Sequence, residues 1–250
     1  SDSYVYSRDR REALDEELLA LDTLHFPAEF AGTLPLPFLT AGAVKFPDQA
    51  QFHPLRFLKE IAKDLTIYEH TEVTELADGI ARTPHGSIRA EKIIIATHFP
   101  FINTHGAYFL KLYQDRSYVI ALKHAPSVDG MYIDAEANGF SFRNHGNLLL
   151  LGGGGHRTGK RGGNYKALRE FAAKYYPKAT EKFHWATQDC MTLDEVPYIG
   201  QYSKNTPSLY VATGFNKWGM TSAMAAAMIL RDMMLEKENP YAPVFSPSRS

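Results

Sequence analysis

The feature that most constrains this chain lies near its end. Leu209 to Thr213 is a short run of mostly apolar, partly β-branched residues that enters a turn, Gly214-Phe215-Asn216-Lys217-Trp218-Gly219. It leaves as a stretch of small residues, Thr221 to Ala227, in a segment that stays helix-compatible to about Glu236. A strand that turns through glycine into an Ala-rich helix packs that helix closely on a sheet. The turn then holds backbone N–H groups with no partner inside the helix, at the positive end of its dipole. Such a turn can seat an anion or an electron-rich carbonyl, although tight packing alone accounts for the same glycines and alanines.

A second apolar run, Lys92 to Thr97, contains three consecutive isoleucines and predicts a strand buried on both faces, as in the middle of a parallel sheet. The remaining elements alternate in period. A strand is expected over Ser3 to Ser7. A helix follows with Leu14, Leu18, Leu21 and Leu24 on one face, opened by a capping box of Asp9 and Glu12. Phe26 to Pro54 is rich in Pro and Gly and predicts loops around one strand at Ala43 to Phe46. Pro54 starts a helix whose buried stripe is Leu55, Leu58, Ile61 and Ala62, ending near Asp64. A meander follows at Leu65 to Tyr68, Glu72 to Leu76, Gly79 to Arg82 and Ser87 to Arg89, turning at Asp78-Gly79 and Pro84-His85-Gly86. A second β-rich stretch covers Ser117 to Lys123, Met131 to Asp134, Gly139 to Arg143 and Asn147 to Leu151. Asn164 then caps a helix with Leu168, Phe171, Ala172 and Tyr175 on its core face, stopped by Pro177. The fold class is α+β.

Charge and composition narrow the function. The 250 residues carry 27 Lys plus Arg against 28 Asp plus Glu, a net charge of −1, so no global field draws the chain to nucleic acid or to an anionic membrane. Its one cysteine, Cys190, excludes an internal disulfide and a thiolate metal cluster and points to a reducing, cytoplasmic setting. No apolar run approaches the ~20 residues of a membrane span, and the start of the chain has no secretory signal pattern. The ten histidines include no pair at metal-binding helical spacing, with His98 and His105 flanking a loop and His145 and His156 a strand. No G-x-S-x-G elbow anchors a serine triad. Gly154 to Lys160 spells G-x-x-x-x-G-K, but Arg161 stands where a nucleotide loop needs Ser or Thr. The tetraglycine Gly152 to Gly155 therefore reads as a flexible turn after a strand.

Four segments, in order, carry a resemblance. Ile93 to Pro100 contains an Ala96-Thr97 step at the end of a strand. Phe142-Arg143 is followed by Gly146 and by Leu148 to Gly153. Asp194 to Gly200 reads D-x-x-P-x-I-G, and Val211 to Thr221 carries the glycine turn. Together they resemble the D-amino acid oxidase-like flavoproteins, the glycine and sarcosine oxidase superfamily, and within it the branch fused to a Rieske iron–sulfur domain. The resemblance implies FAD as cofactor and oxidation of a small amine or amino acid by hydride transfer to flavin N5. It implies Val73 near the adenine end and Ala96 and Thr97 beside the adenosine and pyrophosphate. Gly214, Phe215, Asn216, Lys217, Trp218, Gly219, Met220 and Thr221 would border the flavin, with the helix dipole and the Lys217 cation stabilising charge at N1. Arg143 would grip a substrate carboxylate, with Tyr132 and Gln188 in the same pocket.

This sequence departs from the family pattern in lacking the G-x-G-x-x-G unit that holds the pyrophosphate, and one cysteine cannot ligate a Rieske centre. The expectation is a fragment of a longer flavoprotein, with any Rieske domain downstream. Its substrate domain, built on an antiparallel sheet, would comprise residues 1–46 and 106–185. A partial FAD-binding domain would comprise 47–105 and 186–238, followed by a tail, 239–250. The alternative is a non-catalytic module unable to hold FAD by itself. Apolar sheet edge exposed in such a fragment would favour self-association.

Overall fold

Glycine placement and the alternation of apolar residues set the two sheets that matter. In the computed structural model, which describes residues 1–77, 79–102, 105–136 and 139–249, the elements in chain order are β1 (Ser3–Ser7), α1 (Arg11–Thr23), β2 (Glu29–Ala31), β3 (Gly42–Phe46), α2 (Pro54–Ile61), β4 (Glu75–Ala77), β5 (Ile80–Thr83), β6 (Gly86–Arg89) and β7 (Ile93–Ile95), then α3 (Tyr108–Lys111), β8 (Leu112–Lys123), β9 (Met131–Asp134), β10 (Ser141–His145), β11 (Leu148–Arg157), α4 (Lys166–Tyr175), β12 (Thr180–Thr192), β13 (Tyr198–Gln201), β14 (Leu209–Thr213), α5 (Gly219–Met234) and α6 (Ala242–Phe245). Contacts divide the chain into two units: Ser1–Asp64 with Arg116–Thr187, and Leu65–Asp115 with Gln188–Ser250. Residues 47–64 thus group with the first unit, and 239–249 with the second.

Unit 1 is organised by a sheet of order β12-β8-β11-β10-β9-β1-β3-β2. Residues 112–115 of β8 and 188–192 of β12 group with unit 2. The β10/β11, β10/β9, β1/β3 and β2/β3 pairs are antiparallel, whereas β1 runs parallel to β9, a departure from the all-antiparallel expectation. Successive side chains on a strand point to opposite faces. Ile120 and Leu122, Phe142, and Leu149 and Leu151 accordingly fall on one face, where Leu168, Phe171 and Ala172 of α4 close a core.

Four local expectations are corrected here. β2, β12 and β13 lie where no strand was expected. The tetraglycine is part of β11, neither a flexible turn nor a nucleotide loop: a Cβ at Gly152 would lie 2.5 Å from Ser141 Oγ, and one at Gly153 2.7 Å from the Phe140 ring. Neither helix cap is built as expected. α1 begins after Arg10 with no side-chain cap, and α4 begins after Tyr165, while Asn164 Oδ1 instead accepts a hydrogen bond from the Tyr118 hydroxyl at 3.1 Å. Finally, α2 forms with Pro54 in its first turn, yet Leu55, Leu58 and Ile61 are 72%, 45% and 54% exposed. Helical spacing specifies an apolar face but not what covers it.

Unit 2 holds the sheet β13-β14-β7 and the meander β4-β5-β6. Residues 65–68 form no strand, and Asp78, expected in the turn before Gly79, lies outside the described residues. β14 pairs antiparallel with β13 and parallel with β7, in the register Val211↔Ile95. The isoleucine run does form the parallel strand but not a central one. β7 is at the sheet edge, so Ile95 is buried while Ile94 is 45% exposed. On one side of this sheet, Ile199 and Ala212 pack against Ala226, Ile229 and Leu230 of α5. Elsewhere in the unit, Val211 and Leu209 join Ile95, Tyr108, Tyr198 and Tyr202.

Candidate functional site

In unit 2 the parallel pairing of β7 with β14 brings residues 96–97 and 212–214 to one end of the sheet, the carboxyl end where open α/β sheets bind ligands. The two strand ends are tied together, since the Thr213 hydroxyl donates to the carbonyl of His98. His98 Nε2 in turn meets the Gln188 carbonyl at 2.8 Å, and the Gln188 side chain bonds Gln114. Ala96 and Thr97 are both exposed. Val73 lies apart from this end in chain order, just ahead of β4 in the meander.

The glycine turn is built residue by residue. Gly214 has φ +70°, a conformation open to glycine at little cost. Asn216, also left-handed at φ +52°, spends its side chain on the backbone: Oδ1 accepts from the Thr192 N–H at 3.0 Å and Nδ2 donates to the Glu195 carbonyl at 3.0 Å. Phe215 packs under α5, while Trp218 is 66% exposed. α5 starts at Gly219 with no side-chain cap, and nothing lies within 4 Å of where a Gly219 Cβ would stand. Met220 and Thr221 continue its first turn. An uncapped helix start beside open space fits the electron-rich edge of a flavin ring.

Lys217 carries less positive charge to this place than its residue type implies. Its Nζ lies 2.9 Å from Asp115 and 3.2 Å from Asp189, so these three groups sum to −1. Burial pulls the ammonium down, but the hydrogen bond to Asp115 and the charges of Asp189 and Asp115 outweigh it and hold the group above its ordinary range. The positive end of the site is the start of the helix.

The loop that anchors Asn216 has its own clamp. Arg249 grips Asp194 through two bonds, 2.7 and 3.0 Å, with its guanidinium 3.8 Å from the centre of the Tyr198 ring. This hydrogen bonding lowers the Asp194 carboxyl to about 2. A carboxyl depressed by folding contributes stability above its unfolded value, near 4, and loses it as the pH falls towards 2. Arg249→Ala is therefore expected to cost ~1 kcal/mol or more at pH 7, since the Asp194 end of the pair is half-exposed and screened by water while the Arg249 end is largely buried. The difference from the parent protein should shrink between pH 4 and pH 2 in urea melts.

In unit 1, Arg143 is half-buried on the sheet face opposite the α4 core. Its Nη1 donates to Gln51 Oε1 at 3.3 Å, and it lines a cleft of about 710 Å³ with Phe52, His53, Phe183 and Trp185. Tyr132 does not belong to this cleft. It is 3% exposed, packs in the α4-side core and stacks on Tyr4 at 4.6 Å, with burial raising its hydroxyl pKa. Gln188 belongs to unit 2. Sequence reasoning missed Phe183 and Trp185, whose i, i+2 spacing on β12 was the available signal, and the carboxylates of Asp115 and Asp189.

The chain matches the DAO family model, FAD dependent oxidoreductase, over residues 4–233. It belongs to that family. It is 34% identical over a 270-residue alignment to the Bacillus subtilis (strain 168) protein YhfW, which carries the name of a Rieske 2Fe-2S iron-sulfur protein; the match covers 99% of this chain and 52% of that one. The chain thus spans about half the length of this relative. Among solved structures, glycine oxidase from Geobacillus kaustophilus superposes with a TM-score of 0.84 at 20% identity, covering 100% of this chain and 75% of that one. L-proline dehydrogenase from P. horikoshii superposes at 0.80 and 17% identity, covering 100% and 76%.

Proposed function

We propose that this chain supplies the substrate-facing sheet (unit 1) and part of the flavin-facing domain (unit 2) of an FAD-dependent oxidoreductase acting on a small amine or amino acid. The observation that carries the reading is the parallel β7/β14 pair, whose ends bring Ala96-Thr97 and Gly214 together ahead of the open first turn of α5. When bound, FAD supplies a two-electron acceptor that takes a hydride from the substrate carbon at N5. The N–H groups of Gly219, Met220 and Thr221 would favour negative charge placed against them, and Lys217, fixed by Asp115 and Asp189, would hold the turn in place. Arg143 would orient a substrate carboxylate. Support for a Rieske partner comes from the name of YhfW, and its ligands must lie outside these 250 residues, which hold one cysteine. A cytoplasmic location fits that lone thiol, and no helix among the described residues is long and apolar enough to cross a membrane.

The exposed stripe of α2 and the exposed edge of β7 favour a second reading, in which the 250 residues alone do not retain FAD. One experiment separates the two. The full-length protein is expected to purify yellow and to bleach anaerobically with an amine or amino acid, whereas a preparation that stays colourless after added FAD overturns the enzyme reading; run beside it, flavin retained by the 250 residues alone after gel filtration overturns the second reading.

A further inference from the structure

Resting on the amino-acid-oxidising reading above, we propose that the substrate carries a bulky apolar or aromatic side chain, seated in unit 1 against Phe52, Phe183 and Trp185, with its carboxylate on Arg143. The period-two alternation of the sheet builds the place. Ile120, Phe142, Leu149 and Leu151 turn into the α4 core, so Ala121, Arg143, Leu148 and Leu150 turn the other way and form an apolar floor with one guanidinium in it.

The rings around this floor face water. Phe52, Phe183 and Trp185 are 49%, 63% and 42% exposed, and clustered apolar exposure of this kind marks a binding groove. The charge pattern selects the ligand's polar end. Arg143 has five N–H donors, and its one hydrogen bond among the described residues goes to the neutral Gln51, so no protein carboxylate there neutralises it. His53, His145 and His184 also line the cleft, His184 lying 3.0 Å from Glu181, so the guanidinium is its one permanent cation among the described residues. One planar fork of permanent charge suits one carboxylate in bidentate contact.

Size selects the rest of the ligand. At about 710 Å³ the half-open cleft has room for a ligand of many heavy atoms. A two-carbon amino acid on Arg143 would leave the three rings wet, and a phenyl or indole side chain would cover them.

The test uses the full-length, FAD-loaded protein and calorimetric titration with phenylacetate and with acetate, two carboxylates that differ by the ring. Phenylacetate is expected to bind at least about tenfold tighter, from the apolar area it buries. The double change Phe183→Ala, Trp185→Ala should erase that preference while leaving acetate binding in place. Arg143→Gln should weaken both anions about tenfold or more, with Arg143→Lys intermediate, since a charged hydrogen bond is lost in the first and the charge kept in the second. Equal binding of the two anions, or phenylacetate binding unchanged in Arg143→Gln, overturns the proposal. Flavin bleaching with phenylalanine and with glycine runs alongside. Equal rates with the two amino acids overturn the side-chain assignment and leave the oxidase reading intact, and bleaching by no amine or amino acid overturns the oxidase reading itself.

Discussion

Gly214→Ala is expected to lower the melting temperature of the protein by roughly 10 °C, through a loss of about 3 kcal/mol. Two costs add. At φ +70° a non-glycine residue sits in the left-handed region, at about 1–2 kcal/mol. The new Cβ would also stand 2.3 Å from Thr192 Cγ2 and 3.2 Å from Leu112 Cδ2, and both neighbours are buried, so relief requires movement of packed groups at a further 1–3 kcal/mol. The two terms separate experimentally. Thr192→Ser removes the clashing methyl and keeps the hydroxyl, so in the Gly214→Ala background it should recover the packing cost and leave the backbone cost. Calorimetric melts of the four proteins measure this cycle. An unchanged melt in Gly214→Ala would mean that the turn is not held as described, and with it would go the placement of α5 over the strand ends.

The same turn shows what can be read from sequence and what cannot. Leu209 to Thr213 and the helix after Gly219 were legible because each is specified within a few residues: an apolar run for one, small residues at helical spacing for the other. The face of α4 was legible for the same reason, with Leu168, Phe171 and Ala172 all buried. Burial that depends on a distant partner was not legible. Leu55, Leu58 and Ile61 have the spacing of a core stripe and remain exposed, and three isoleucines that read as a central strand stand at an edge. Long-range pairing was hidden in the same way. Lys217 is 102 residues from Asp115 and 28 from Asp189, so nothing local shows that two carboxylates offset its charge. Arg143 was found through a family resemblance, but the rings that give its cleft a character are Phe52 and, on β12, Phe183 and Trp185, whose alternation with Lys182 and His184 is a strand pattern that says nothing of the distant residues they face.

Phe171→Ala is expected to be the most damaging single change in unit 1, at about 4 kcal/mol, within the 3–5 kcal/mol range for deleting a buried phenyl ring. The ring is 6% exposed and has five aromatic neighbours, with centroids at 4.6 Å for Tyr175, 4.7 Å for Phe140, 5.6 Å for Phe142, 5.7 Å for Phe38 and 6.2 Å for Tyr176. These neighbours come from a loop, from α4 and its C-terminal end, and from β10 and the residue before it. Collapse into the cavity would require all of them to move together, which places the cost high in the range. Phe171→Leu keeps much of the volume and should cost about 1–2 kcal/mol. The effect should also reach the cleft, because Phe142 and Arg143 are successive residues of β10 on opposite faces: loosening the strand under Phe142 loosens the footing of the guanidinium. Phe171→Ala is therefore expected to weaken phenylacetate binding although residue 171 is far from the ligand in the sheet's layering, and Phe171→Leu to weaken it less. Urea denaturation followed by near-ultraviolet circular dichroism measures the first effect and calorimetric titration the second. A loss near 1 kcal/mol in Phe171→Ala would show that the aromatic cluster does not hold the sheet against α4, and that the position of Arg143 is set by the strand pairing of β10 with β9 and β11 alone.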